Sequence, residues 1–84
     1  MPTWRIQSYR FYFHVGEVWE PHKPPHIHVR LEGGQKIQFW LTNFKVKKVE
    51  GKINLPEETK ITNLVRENAY LFLQEWERIK NQHQ

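Results

Sequence analysis

Strict alternation of apolar and polar residues is the feature that most constrains the fold of this chain. It occurs in three segments, residues 9–15, 26–31 and 36–41. A period of two places every second side chain on the same face of an extended strand, so each segment predicts a β-strand with one apolar face. The residues of this predicted apolar face are Phe11, Phe13, Val15, Ile27, Val29, Leu31, Ile37, Phe39 and Leu41.

The last third of the chain has a helical period instead. Pro56 suits the first turn of a helix, and the two acidic residues that follow it favour the positive end of the helix dipole. Apolar residues then recur at helical spacing and form one stripe: Ile61, Leu64, Val65, Phe72, Trp76 and Ile79. The stripe must be buried, and the apolar sheet face is the large partner available within the chain.

The sequence therefore predicts an α+β fold. We expect an antiparallel sheet of three to four strands, with one C-terminal helix packed on one face. The predicted organisation is a single domain over residues 1–84, β-rich at 1–55 and helical at 56–81. Residues 16–25, which contain one glycine and three prolines, are predicted to form a loop.

Composition excludes several kinds of site. The absence of cysteine rules out disulfides and thiolate metal ligands, and it fits a reducing cytoplasm. The amino terminus has no apolar signal segment, and the longest apolar run, residues 69–73, is too short to cross a membrane. We therefore expect a cytoplasmic protein with no membrane association.

The net charge of +4 is unevenly distributed. Residues 1–55 carry nine basic and four acidic groups, a balance of +5, whereas residues 56–84 carry four basic and five acidic groups, a balance of −1. The basic part suits RNA or an acidic partner protein. The same charge is also compatible with a role in solubility alone.

The polar side of the predicted sheet carries the candidate functional residues. Pairing Phe13 with Val29, and Leu31 with Ile37 across a Gly33–Gln35 loop, keeps all apolar side chains on one face. Directly opposed side chains then lie about 5 Å apart at Cβ. The resulting patch consists of Tyr12, His14, His28, Arg30, Gln38 and Trp40, with His26 at its edge. We expect this patch to be exposed to solvent.

Three functions are compatible with these residues. The first is phosphodiester chemistry, with His14 and His28 as general base and acid, Arg30 on the phosphate, and Tyr12 or Trp40 stacking on a base.

The second is a transition-metal site. His26 and His28 point the same way on a strand, and His14 or His22 is available as a third ligand. The third is structural: the histidines hydrogen-bond to the proline loop, and a partner protein covers the face. Separately, Asn68 lies on the apolar helix stripe, where a buried amide needs hydrogen-bond partners, and we expect it to anchor a neighbouring loop.

Several motifs occur together in an order and at a spacing that resemble a known family. They are Tyr9–Phe13, Pro24–Val29, Phe39–Leu41, Val65–Asn68 and Leu73–Trp76. Together they resemble the small bacterial proteins of domain-of-unknown-function family 4160. The signature positions that the resemblance implies are His26, His28, Phe39, Trp40 and Asn68. The family usually has lysine where this chain has Gln38.

The resemblance also implies a standalone protein encoded beside a second small protein, as in a toxin–antitoxin pair. We therefore predict a component of such a module. The polar patch on the basic part of the chain predicts that this component binds RNA through its histidine, arginine and tryptophan side chains, and that any cleavage is independent of a metal. The predicted catalytic residues are His14, His28 and Arg30, and the predicted binding residues are Tyr12, His26, Gln38, Trp40 and Asn68. The alternatives are a non-enzymatic protein-interaction module and a metal-binding protein whose ligands are His14, His26 and His28.

Overall fold

The described part of the chain is built on an antiparallel sheet in which each strand pairs with the next in sequence. A computed structural model describes residues 3–82. Met1 and Pro2, in the segment where no signal sequence is predicted, lie outside the described residues. The strands are β1 Thr3–Ile6, β2 Tyr9–Tyr12, β3 His26–Arg30, β4 Lys36–Trp40 and β5 Val46–Glu50, in the spatial order β1-β2-β3-β4-β5.

The helices within residues 3–82 are α1 Val15–Trp19, α2 Leu55–Glu67 and α3 Ala69–Gln82. None of these helices has both the length and the apolarity that a membrane span requires. The α+β class and the antiparallel sheet are confirmed. The predicted three to four strands and single helix are wrong, because the described chain has five strands, an additional short helix, and a divided C-terminal helical region.

The core lies between one face of the sheet and the helices, as the two apolar periods predict. The residues of the predicted apolar face and helix stripe are buried, except that Val15 is half-buried at the start of α1. Phe11 from the sheet and Phe72 from α3 stack with ring centroids 5.4 Å apart. Trp4 of β1 extends this contact, with its centroid 5.1 Å from that of Phe72.

The strand register differs by two residues from the predicted one. Phe11 is opposite Val29, where the prediction paired Phe13 with Val29. Val29 is opposite Ile37, where the prediction paired Leu31 with Ile37. A shift of two keeps every apolar side chain on the same face, so alternation alone does not distinguish the two registers.

The turn between β3 and β4 sets the observed register. Leu31 N–H donates to the Gln35 carbonyl at 2.9 Å, so these two residues close the hairpin, and Gly34 N–H donates to the Leu31 carbonyl at 3.0 Å. Gly34 has a φ of 89°, which glycine adopts without steric cost. The hairpin therefore closes one residue earlier on each strand than the predicted Gly33–Gln35 loop.

Helix α1 replaces the end of a predicted strand and the start of the predicted loop. Strand β2 ends at Tyr12, and the first turn of α1 closes with Glu17 N–H donating to the His14 carbonyl at 2.9 Å. Val18 is buried in the core, and the Trp19 indole donates to the Ile79 carbonyl of α3 at 3.1 Å. These contacts fix α1 against α3 and place Glu17 on the polar side of the sheet.

The C-terminal helical region breaks at Asn68, which caps α2 with φ −108° and ψ 11°. The Asn68 side-chain amide donates to the Leu64 carbonyl at 2.8 Å, within its own helix. The prediction that Asn68 anchors a neighbouring loop is therefore wrong. Its side chain satisfies a backbone carbonyl in the last turn of α2. Asn68 lies in the helical layer rather than on the polar side of the sheet.

Candidate functional site

The polar side of the sheet presents two cross-strand rows. We call the first the basic row; its members are Arg5, Arg10, Arg30 and Lys36, each directly opposite the next on four successive strands. The second row runs beside it, two residues along each strand, and consists of Thr3, Tyr12, His28, Gln38 and Lys48. Two residues of strand separate the rows by about 7 Å.

Like charges that are directly opposed on neighbouring strands destabilise a sheet. The four side chains of the basic row are exposed, and within residues 3–82 none of them forms an ion pair. Arg5, Arg10 and Arg30 line a shallow depression with Ser8 and Glu32. The row therefore concentrates positive charge over four strands, and its acidic neighbours are Glu32 in the depression and Glu50 of β5, which is directly opposite Lys36. Such a concentration of positive charge suits an anionic ligand.

Beside this row lies a group that we call the histidine cluster: His14, Glu17, His26 and His28. Glu17 is its centre, because its Oε1 accepts from His28 Nε2 at 2.7 Å and lies 3.2 Å from His26 Nε2. The other ring nitrogen of His26, Nδ1, is 3.1 Å from the Pro24 carbonyl oxygen. Both nitrogens of His26 thereby have a polar partner, whereas His28 Nδ1 has no hydrogen bond within residues 3–82.

The predicted solvent exposure of His26 and His28 is wrong, since they are only 1% and 7% exposed. Glu17 of α1, a segment predicted as strand and loop, contacts both histidines. Tyr12 packs on His28, and Trp40 and Trp76 pack on His26. Arg30 is exposed, as predicted. The structural interpretation is correct in one respect, because His26 does bond to the proline segment through the Pro24 carbonyl.

The charges within the cluster follow from burial and hydrogen bonding. Burial raises the pKa of Glu17, but the hydrogen bonds from His28 and His26 outweigh it, and the pKa is lowered overall. Burial lowers the pKa of His28, and the hydrogen bond to Glu17 compensates only in part. At neutral pH, Glu17 is thus a carboxylate and His28 a neutral imidazole. With its Nε2 proton directed at Glu17, His28 keeps its lone pair on Nδ1.

His14 joins the cluster from the exposed side. Its ring centroid is 4.3 Å from that of His28, and the two rings are nearly perpendicular at 77°. Tyr12 stacks on His28 with centroids 5.2 Å apart and planes at 19°. Side-chain donor atoms of His14, Glu17 and His28 all lie within 4.8 Å of one another. The predicted convergence of His14 and His28 is therefore present, although the two do not occupy opposed strand positions.

The remaining predicted residues lie at the margin of this site. Gln38 is opposite His28, and its Oε1 accepts from Lys47 Nζ at 3.2 Å. The same ammonium group lies 5.3 Å from the centroid of the Trp40 ring. Lys47 of β5 thus brings a cation beside Gln38, the position at which the resembled family usually has lysine.

Sequence reasoning missed Glu17 and three of the four members of the basic row, Arg5, Arg10 and Lys36. The sequence contains one indication of Glu17: it follows His14 by three residues, so the two side chains share a face if the segment is helical. Arg5 is missed because β1 was not predicted. Arg10 and Lys36 occupy polar positions of the alternating segments 9–15 and 36–41, but the register shift hides their alignment with Arg30.

The fold and site together define a small α+β protein. A five-stranded antiparallel meander carries a histidine–glutamate cluster with two buried histidines beside a row of exposed cations. Residues 8–77 match the family described as Domain of unknown function (DUF4160), and the chain belongs to this family. The predicted family membership is thus confirmed. Neither a curated protein nor a solved structure matches the chain.

Proposed function

We propose that the protein binds single-stranded RNA across the basic row and cleaves it at the adjacent histidine cluster. The observation that carries this proposal is the alignment of Arg5, Arg10, Arg30 and Lys36 across four strands without an ion-pair partner among residues 3–82. Phosphate groups neutralise such a row, and guanidinium groups bind them in a bidentate manner.

The width of the row favours an extended polyanion over a single small anion. Four strands at a spacing of about 4.8 Å give a row roughly 14 Å across. Tyr12 lies in the neighbouring row, between Thr3 and His28, where an aromatic ring is available to a nucleobase of the bound strand. The exposed basic row on the sheet suits single-stranded RNA, whose bases are accessible.

The proposed cleavage uses the one free nitrogen of His28. His28 Nδ1 removes the proton from a ribose 2′-hydroxyl, and the 2′-oxygen attacks the adjacent phosphorus. The bond from phosphorus to the 5′-oxygen breaks as protonated His14 donates its proton to that oxygen. The products are a 2′,3′-cyclic phosphate and a 5′-hydroxyl, and Arg30 stabilises the charge that develops on the phosphate oxygens.

The binding half of the proposal predicts a residue-specific salt dependence. We expect wild-type protein to bind a fluorescently labelled single-stranded RNA with an affinity that falls as salt rises. Arg10→Ala and Arg30→Ala should each reduce the slope of log K against log salt by about 0.7, the value for one contact to a single strand. Fluorescence anisotropy across a salt series measures this slope.

The matched control is Arg78→Ala, which removes the same charge from an exposed position on α3, where Arg78 pairs with Glu75. It should leave the slope unchanged. No binding by wild-type protein at about 50 mM salt contradicts the proposed function. Equal slopes for Arg30→Ala and Arg78→Ala contradict the assignment of the site to the basic row.

We also propose that the protein is a cytoplasmic component of a two-gene module of the toxin–antitoxin type, with a partner protein on its helical side. Tyr70 and Leu71 support a partner there, since these adjacent residues near the start of α3 are 74% and 42% exposed. Large exposed apolar side chains of this kind mark protein contacts when they form a patch.

Co-purification tests the partner contact. The product of the neighbouring gene should co-purify with wild-type protein and with Arg30→Ala, but not with a Tyr70→Ser, Leu71→Ser double variant. The reverse pattern, with loss in Arg30→Ala alone, places the partner on the sheet instead. Independent migration of the two wild-type proteins in size-exclusion chromatography contradicts the proposal.

A further inference from the structure

Three side chains of the histidine cluster converge on one point from two different elements. His14 and Glu17 stand three residues apart at the start of α1, and His28 extends from β3. Their donor atoms, two imidazole nitrogens and a carboxylate oxygen, lie within 4.8 Å of one another. Bonds of about 2.1 Å place the ligands of a tetrahedral ion about 3.4 Å apart.

Buried contacts orient the carboxylate and one imidazole before any ion binds. His26, almost fully buried, holds Glu17 Oε1 from a distance of 3.2 Å and is itself positioned by the Pro24 carbonyl. Such outer-shell hydrogen bonds orient the ligands of metal sites. His26 is thus an orienting residue and not a ligand, which differs from the set His14, His26 and His28 that the sequence suggests.

We propose that His14, Glu17 and His28 form a binding site for one divalent transition-metal ion of the zinc type. Two imidazoles and one carboxylate select zinc, cobalt, nickel or copper over magnesium and calcium, which prefer all-oxygen sites. Three protein ligands leave a coordination position for water or an anion. Lys23 places a positive charge near this site that would repel a bound cation. Its Nζ lies 3.8 Å from Glu17 Oε2 and 3.2 Å from Glu20 Oε2.

An ion at this site would block the proposed cleavage, and this effect alone rests on the proposed function. A neutral imidazole has one lone pair, and an ion bound to His28 occupies it. Zinc should therefore inhibit cleavage while leaving RNA binding by the basic row intact.

Direct titration of untagged, EDTA-treated and dialysed protein tests the site without RNA. We expect Co²⁺ to produce a saturable visible absorption band at one ion per chain, and Zn²⁺ to displace it while Mg²⁺ does not. His14→Ala, at an exposed position that leaves the buried contacts intact, should weaken Co²⁺ binding at least tenfold. Lys23→Ala should strengthen it, because it removes the opposing charge.

The control is His22→Asn, which removes an exposed histidine from a position of φ 67° that asparagine tolerates. It should leave Co²⁺ affinity unchanged. An absence of saturable absorption, or equal affinity in wild-type protein and His14→Ala, overturns the metal site. RNA binding by the metal-free protein is measured separately, so failure of one proposal is distinguishable from failure of the other.

Discussion

His28→Ala should lower the rate of RNA cleavage by at least 100-fold in buffer that contains EDTA, while RNA affinity stays within about twofold of wild type. A positioned general base contributes roughly 100- to 10,000-fold to such a reaction, and His28 is the member of the cluster with an oriented, neutral ring. RNA affinity should persist because the four cations of the basic row are untouched. Single-turnover cleavage of a labelled oligonucleotide measures the rate, and product analysis identifies the cyclic phosphate.

Because His28 is buried, loss of activity in the alanine variant requires a control for folding. His28→Gln retains an N–H donor for Glu17 but has no basic nitrogen, so it should be as inactive as the alanine variant and more stable in thermal melts. His22→Asn is the matched control for histidine content and should cleave at the wild-type rate. Equal cleavage by wild-type protein and both His28 variants assigns the activity elsewhere, including to a contaminating nuclease.

The sequence predicts the apolar core of this protein well because a period of two determines which face each side chain occupies. Phe11, Val29 and Ile37 are in the core for that reason alone. The same period leaves the register open by two residues, because Phe11 or Phe13 opposite Val29 satisfies it equally. The geometry of the turn that ends at Gln35 makes the selection, and the sequence cue for it, Gly33-Gly34, is compatible with both closures.

The sequence predicts only part of the candidate site, namely its histidines and Arg30, and misses Glu17. His14 and His28 are near one another as predicted, with ring centroids 4.3 Å apart, although His14 precedes α1 instead of lying on a strand. His28 and Arg30 lie on the polar side of β3 in either register. Glu17 was missed because α1 has only five residues, contains Gly16, and begins at His14 without a side-chain cap. Isolated helices of this length are unstable in water, so local propensity does not reveal them. Tertiary contacts of Val18 and Trp19 hold α1 in place.

Asn68 illustrates the limit of a periodic pattern in the helical region. The apolar stripe continues from Val65 to Phe72 across the break, so the period predicts one helix. Asn68 competes for the Leu64 carbonyl through both its backbone N–H, at 3.1 Å, and its side-chain amide, at 2.8 Å. Local side-chain bonding of this kind interrupts a helix without disturbing which residues are buried.

Glu17→Ala should lower the free energy of unfolding at pH 7 by about 2–3 kcal/mol. The change leaves His28 Nε2 without its hydrogen-bond acceptor and removes the carboxylate that faces His26, both of which are buried. Glu17→Gln retains a carbonyl acceptor and should lose roughly half as much. Urea denaturation followed by tryptophan fluorescence measures these differences. Glu20→Ala is the matched control, because Glu20 is exposed and pairs only with Lys23 among the described ion pairs.

The pH dependence of stability distinguishes the Glu17 contacts from general packing. The pKa of His28 is lowered on folding, so the unfolded chain takes up this proton first, and stability should begin to fall as pH drops below about the ordinary histidine value of 6.5. The pKa of Glu17 is also lowered, so its contribution is present above the ordinary value of 4.5 and is lost as pH falls below it. Wild-type stability should therefore decline in two steps on acidification.

Glu17→Ala should remove the lower step and retain the upper one. Without the carboxylate, burial acts on His28 unopposed, so its pKa falls further and the loss of stability below pH 6.5 becomes larger. Urea denaturation at pH 7, 5.5 and 4 resolves the two steps. If Glu17→Ala and Glu20→Ala give the same unfolding free energy at every pH, Glu17 does not hold the cluster together. Persistence of the lower step in Glu17→Ala assigns that titration to another carboxyl group.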